Sequence, residues 1–227
     1  MRFPGFVLFI LFSSVQMVHA QAMKVADLCI CVHPGCFIGT HKSLSVVSGN
    51  MLPTLEVGDC VLGVVHFGRD PIEGLEHGQQ VIYRKPVDGI LYIKRIIAME
   101  EDTIQLQDGV VWLNGAEVPQ RDAGTHEDIK EPKGPSKSIP RCANAPVAMG
   151  GICLKDRFTE TLPNGTSYDV LNIGQTSLDD TKLMTVPDGH VFLMGDNRDN
   201  SLDSRIPQEA LGLGFASAAD IVYILKE

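Results

Sequence analysis

Basic residues are in short supply in this chain. Nineteen Lys and Arg stand against 28 Asp and Glu, which leaves a formal net charge of −9. A surface built to hold phosphates needs clustered Lys and Arg, so nucleic acid is excluded as a general partner. Helix signals are scarce, and no internal repeat appears, which excludes repeat arrays. Metal-ligand pairs at familiar spacing are also few: beyond one Cys/His cluster near the N-terminus, nothing completes a second pair. What remains is ordinary for a globular protein of one or two domains. The 227 residues are 44% hydrophobic and 21% charged, enough to bury a sizeable core without staples.

Residues 1–20 form a block of their own. Arg2 precedes the apolar run Phe6-Val7-Leu8-Phe9-Ile10-Leu11-Phe12, and Val18-His19-Ala20 closes the block with small residues of the A-x-A kind. That is the layout of an export signal. The stretch Phe3 to Ala20 includes Ser13, Ser14, Gln16 and His19, marginal against the roughly 20 apolar residues of a membrane span. A cleaved signal and a retained N-terminal anchor are the two readings, and both export the remainder. The expected location is the periplasm or the outer face of the cytoplasmic membrane.

Six cysteines fit an exported chain. Cys142 and Cys153 bracket a short Pro/Gly loop and are expected to pair. Cys60 opens the apolar run Cys60-Val61-Leu62 and reads as a buried thiol. Cys29, Cys31 and Cys36, with His33 among them, suit a disulfide, free thiols or a zinc ligand set.

The rest of the chain alternates short β-branched runs with Gly, Pro, Asn and Asp turns, which indicates an all-β, mainly antiparallel fold. Strands are expected at 60–66, 79–84, 90–98, 103–107, 110–113 and 191–194, with a hairpin over 158–171. Asp108-Gly109 and Asn114-Gly115 are hairpin turn signals. Residues 119–146 read as a loop-rich connection, and the one helical piece lies around 207–211.

Three segments carry chemistry. Ser48-Gly49-Asn50-Met51-Leu52-Pro53-Thr54-Leu55 has Gly and Pro fixing an irregular backbone. By itself it is a structured turn, yet such turns can aim N–H groups at one point, as an oxyanion hole requires. In Tyr92-Ile93-Lys94-Arg95-Ile96-Ile97, strand alternation puts Tyr92, Lys94 and Ile96 on one face. Lys94 reads either as an exposed lysine at a sheet edge or as a desolvated amine with a lowered pKa, fit to be a general base. Gly195 to Arg205 (GDNRDNSLDSR) is a dense polar run after a buried strand. Arg198 sits where a calcium loop needs an oxygen ligand, which leaves a polar turn or a hydrogen-bonded network.

In order and wording, the three segments resemble the bacterial type I signal peptidases, the leader peptidases that use a Ser/Lys dyad. SGNMLPTLEVGD is similar to the nucleophile box S-G-S-M-x-P-T-L-x-x-G-D, YIKRIIAMEEDTIQLQDGVVWLNG to the lysine box and its hairpin, and VFLMGDNRDNSLDSR to the last box. The likeness runs over roughly residues 45–215. It implies a two-subdomain β fold with a catalytic core of 45–118 and 186–215. The remaining segments are an inserted second subdomain at 119–185, a Cys-containing segment at 21–44 and a C-terminal segment at 216–227. It further implies that Lys94 is the general base, that Ser201 orients its amine, and that Asp203 and Arg205 form a supporting ion pair. Ser48 becomes an oxyanion-hole donor beside the residue 50 N–H. The partners implied are exported precursors, laid extended along a sheet edge, and a membrane surface. The resemblance implies neither a metal nor an organic cofactor.

At the nucleophile position stands Asn50. The mechanism requires a hydroxyl that passes its proton to neutral lysine and attacks a carbonyl, and a carboxamide has no such proton to give. Ser48 is two residues away in a chain that rises about 3.3 Å per residue, and Thr54 lies beyond a proline. Neither is positioned to substitute where about 1 Å of misplacement matters. Smaller departures are Gly78-Gln79-Gln80, where the family has Gly-Asp, and Met99-Glu100-Glu101-Asp102 after the lysine strand. Three readings follow. One is an A-x-A endopeptidase silenced by Asn50, another a non-catalytic binder of exported segments or a protein partner, and the third a dedicated pilin or conjugation-protein maturation peptidase.

Overall fold

The computed structural model describes residues 22–25, 28–66, 68–135 and 137–226. The signal or anchor expected at 1–20 lies outside them. Among the described residues, no helix is long and apolar enough to cross a membrane.

Strands β1 (Ala22–Val25) and β2 (Leu28–Cys31) pair with each other, and a single helical turn, α1 (Pro34–Phe37), follows. Next come β3 (His41–Ser45), β4 (Cys60–Val65), β5 (Gln80–Arg84) and β6 (Leu91–Met99). The chain continues through β7 (Thr103–Gln107), β8 (Val110–Leu113) and β9 (Ala116–Glu117). Two long strands, β10 (Gln120–Ile129) and β11 (Ile152–Thr161), precede β12 (Ser167–Asn172). It closes with β13 (Met184–Thr185), β14 (His190–Met194), β15 (Ala216–Ser217) and β16 (Ile221–Lys226).

A seven-stranded sheet in the order β15-β14-β6-β5-β16-β4-β3 carries the polar site. A four-stranded sheet, β13-β7-β8-β9, and a three-stranded sheet, β10-β11-β12, flank it. Among the described residues, the pairings between these strands are antiparallel, as the short turns between apolar runs require, and one isolated parallel bridge joins Leu171 to Asn197. Asp108 and Gly109 both take positive φ at the β7–β8 turn, and Asn114 and Gly115 do so after β8. These are the mirror-type turns whose twist matches paired strands, favoured by Asn-Gly and Asp-Gly.

The sheets are cemented by buried apolar side chains. Ile97, Ile104, Leu106, Val111, Val170, Phe192 and Met194 form one cluster between the large sheet, the four-stranded sheet and β12. Val81, Tyr83, Ile96, Leu193 and Ile221 form another on the large sheet. Val46, Val61, Ile82 and Leu225 make a third beside β3. At about 25 cal/mol per Å² of apolar surface, these clusters fix the strand registers around the polar site.

Three sequence expectations need correction. Residues 119–146 are not wholly a loop-rich connection, because β10 runs through Gln120–Ile129. Cys60 is not a free thiol: it pairs with Cys29, and Cys31 pairs with Cys36. The β1–β2 segment folds back against β4 and brings the Cys29 and Cys60 Cα atoms to 5.4 Å. The zinc and free-thiol readings of the cluster therefore fall. Cys142 and Cys153 pair as expected. The helical piece at 207–211 is a 3-10 turn, Gln208–Ala210.

Candidate active site

Lys94 lies in the middle of β6, between β5 and the final polar loop. It is 0% exposed, so the edge-lysine reading does not hold. Its cross-strand partner is Val81, and its Nζ sits 5.7 Å from the centroid of the Tyr92 ring. Among the described residues, Nζ has no hydrogen-bond partner. Burial without a partner disfavours the ammonium and pulls the pKa down to about 8. Arg205 pushes the same way, while Asp203 and Asp196 act against it.

Asn50 sits on a 3-10 turn, Gly49–Met51. Its Nδ2 donates to the Ile93 carbonyl at 3.3 Å, and its Oδ1 accepts from Ser48 Oγ at 3.1 Å. The Thr54 hydroxyl donates to Asp196 Oδ2. Both neighbouring hydroxyls are thus committed to partners of their own.

The final loop is tied to this turn at several points. Asn197 N donates to the Asn50 carbonyl at 3.1 Å, and its Nδ2 to the Gly49 carbonyl at 2.7 Å. Gly195 makes the approach possible: a Cβ there falls 2.6 Å from the Asn50 carbonyl oxygen and against Ser201 Oγ. Asp203 and Arg205 form a fully buried bidentate pair at 2.9 Å. Burial pushes the Asp203 carboxyl up, but Arg205 outweighs it and holds the pKa below the ordinary value. Ser201 is 8% exposed, and its Oγ, like Lys94 Nζ, has no hydrogen-bond partner among the described residues.

Sequence reasoning missed the framework behind these residues. Arg95, pointing away from Lys94, grips Asp196 at 2.7 and 2.8 Å, reaches the Gly78 carbonyl, and stacks 4.0 Å from the Tyr168 ring. Arg198 pairs with buried Glu160 of β11, and the Arg198 carbonyl accepts from Arg205. The density of charge in 195–205 signalled a network, but its partners lie up to 148 residues away in sequence.

A groove of about 790 Å³ runs between Ser43–Ser48 and Ile90–Lys94. Ser48, Asn50, Tyr92 and Lys94 line it, with Asn200 and Leu202 from the final loop. The groove thus gathers Asn50, Lys94 and Ser48, whereas Asp203 and Arg205 stand behind it.

The family model of signal peptidase, peptidase S26, matches residues 21–223. This chain belongs to the signal peptidase family. Among its curated relatives, signal peptidase I of Rickettsia typhi is 32% identical over 157 residues, 66% of this chain and 48% of that protein. The Rickettsia canadensis signal peptidase I is 36% identical over 148 residues, 62% of this chain and 46% of that protein. The chain therefore spans about half the length of the curated relatives it matches. A crystal structure of a signal peptidase I from Enterococcus faecalis V583 is similar over 68% of this chain and 98% of that one, at 17% identity and a TM-score of 0.35.

Proposed function

We propose that this chain is a signal-peptidase-type serine endopeptidase scaffold of the exported compartment, silenced by Asn50. Its groove receives the extended cleavage region of an export signal, with small side chains in the A-x-A pattern, but does not cut it. The observation that carries the reading is the buried, unpartnered Lys94 amine lining the same groove as Asn50 and Ser48. Leaving a buried polar group unsatisfied costs about 1–3 kcal/mol, which favours a chemical use for it. A lysine whose pKa is pulled down to about 8 is neutral often enough near pH 7 to accept a proton from a hydroxyl.

In this reading Lys94 is the general base, and Ser48 donates to the developing oxyanion. Ser201 orients the amine once substrate is bound, and the Asp203–Arg205 pair holds the loop. A membrane surface and exported precursors are the partners. The test is cleavage, in detergent, of a secretory precursor carrying an A-x-A site. The chain as written leaves it intact, while Asn50→Ser gains several powers of ten; loss of the nucleophile alone costs about 10⁶ in turnover in a comparable peptidase. Cleavage by the unaltered chain would overturn the silencing by Asn50.

A further inference from the structure

Strand β6 pairs with β5 along Leu91–Arg95, but β14 covers its other edge only from Arg95 onward. Successive strand residues send their backbone N–H and C=O to alternate sides. Ile90 O accepts from Lys85 N, and Ile96 exchanges bonds with Gly78 and Gln79, so the even positions face β5. Ile93 therefore directs its N–H and C=O at the uncovered edge, which borders the groove. Such an edge is a template for another extended chain.

The Ile93 carbonyl is already taken. Asn50 Nδ2 donates to it, while Ser48 Oγ donates to Asn50 Oδ1. A carboxamide carries the same N–H donor and C=O acceptor as a backbone peptide unit. One side chain thus occupies the edge acceptor and the hydroxyl donor that face the groove.

We propose that Asn50 is an internal mimic of a peptide unit, which competes with an extended peptide for the Ile93 carbonyl and the Ser48 hydroxyl. This inference rests on the reading that the groove receives such a peptide. Asn50 then does more than remove a nucleophile: it also weakens capture. At 3.3 and 3.1 Å both bonds are neutral and slightly longer than the ordinary range. A peptide can therefore displace them, at a penalty in affinity.

The test uses a fluorescein-labelled A-x-A peptide whose scissile amide is N-methylated, which keeps the scissile carbonyl as an acceptor and resists cleavage. Binding is measured by anisotropy to the chain as written, to Asn50→Ala and to Asn50→Ser, each checked for folding by its melting curve. Asn50→Ala and Asn50→Ser are expected to bind about tenfold more tightly, the scale of one or two net hydrogen bonds. Ser48→Ala is expected to weaken binding more in the Asn50→Ala background, where the hydroxyl is free, than in the chain as written. Equal or weaker binding by both Asn50 variants overturns the mimic alone, and cleavage of an ordinary precursor by Asn50→Ser then still supports the proposed function. Absence of both binding and cleavage in every variant overturns the proposed function and the mimic with it.

Discussion

A lysine that is wholly buried and unpartnered exchanges its proton near neutrality, and this gives Lys94 a signature in pH. Its pKa in the fold is about 8 against an ordinary 10.5. Below about 8 the amine is mostly protonated, and the fraction able to act as a base falls about tenfold per pH unit. The Asn50→Ser variant is therefore expected to gain kcat/KM with rising pH and to level off above about 8. A limb near 10.5 in the pH–rate profile would contradict a buried base. Stability follows the same sign. Between about 8 and 10.5 the unfolded lysine binds a proton that the folded one has released, so stability rises with pH across that window. Position 94 was legible in the sequence as a candidate base, from the order of the boxes. Its burial was not, because the loop that covers it lies about a hundred residues downstream. The two bonds made by Asn50 were equally invisible, since they depend on how a turn meets a strand edge.

Elements, rather than single side chains, hold the final loop in place. Glu160 of β11 pairs with Arg198, whose carbonyl in turn accepts from Arg205. Removing one partner of a buried pair costs about 3–5 kcal/mol. Glu160→Gln is expected to lower the unfolding free energy, read from urea denaturation, by that scale and to reduce the activity of the Asn50→Ser background; an unchanged midpoint would remove Glu160 from the framework. Gly195 lets β14 run into the loop against the Asn50 carbonyl. In the same background, Gly195→Ala is expected to depress kcat more than KM, because it displaces the turn and Ser201 rather than the outer groove. Strands β7 and β8 were legible to the residue, since apolar alternation and Asp-Gly mark them. Strand β10 was not: its sequence QRDAGTHEDI has no apolar face to read. It forms because its backbone pairs with β11 over eight registered positions, not because its side chains enter a core.

Across the whole molecule, three disulfides suit the exported compartment to which the proposed reading assigns it. The Cys29–Cys60 bridge closes the N-terminal segment onto β4, beside the groove wall. Breaking it with Cys29→Ser and Cys60→Ser together is expected to destabilise the fold by about 2–4 kcal/mol, read from denaturant midpoints. No loss would mean that the segment docks without the bridge. The all-β class and the order of the three boxes were legible from the chain, but the Cys29–Cys60 pairing was not, because it depends on where a hairpin outside the core docks. The central claim is that one side chain silences a site otherwise assembled around Lys94. The measurement that tests it most directly is precursor cleavage by Asn50→Ser beside Asn50→Ser/Lys94→Ala. The account predicts strong cleavage by the first and none by the second. Equal cleavage by both would show that the lysine is not the base, and the assembled site described here would fall.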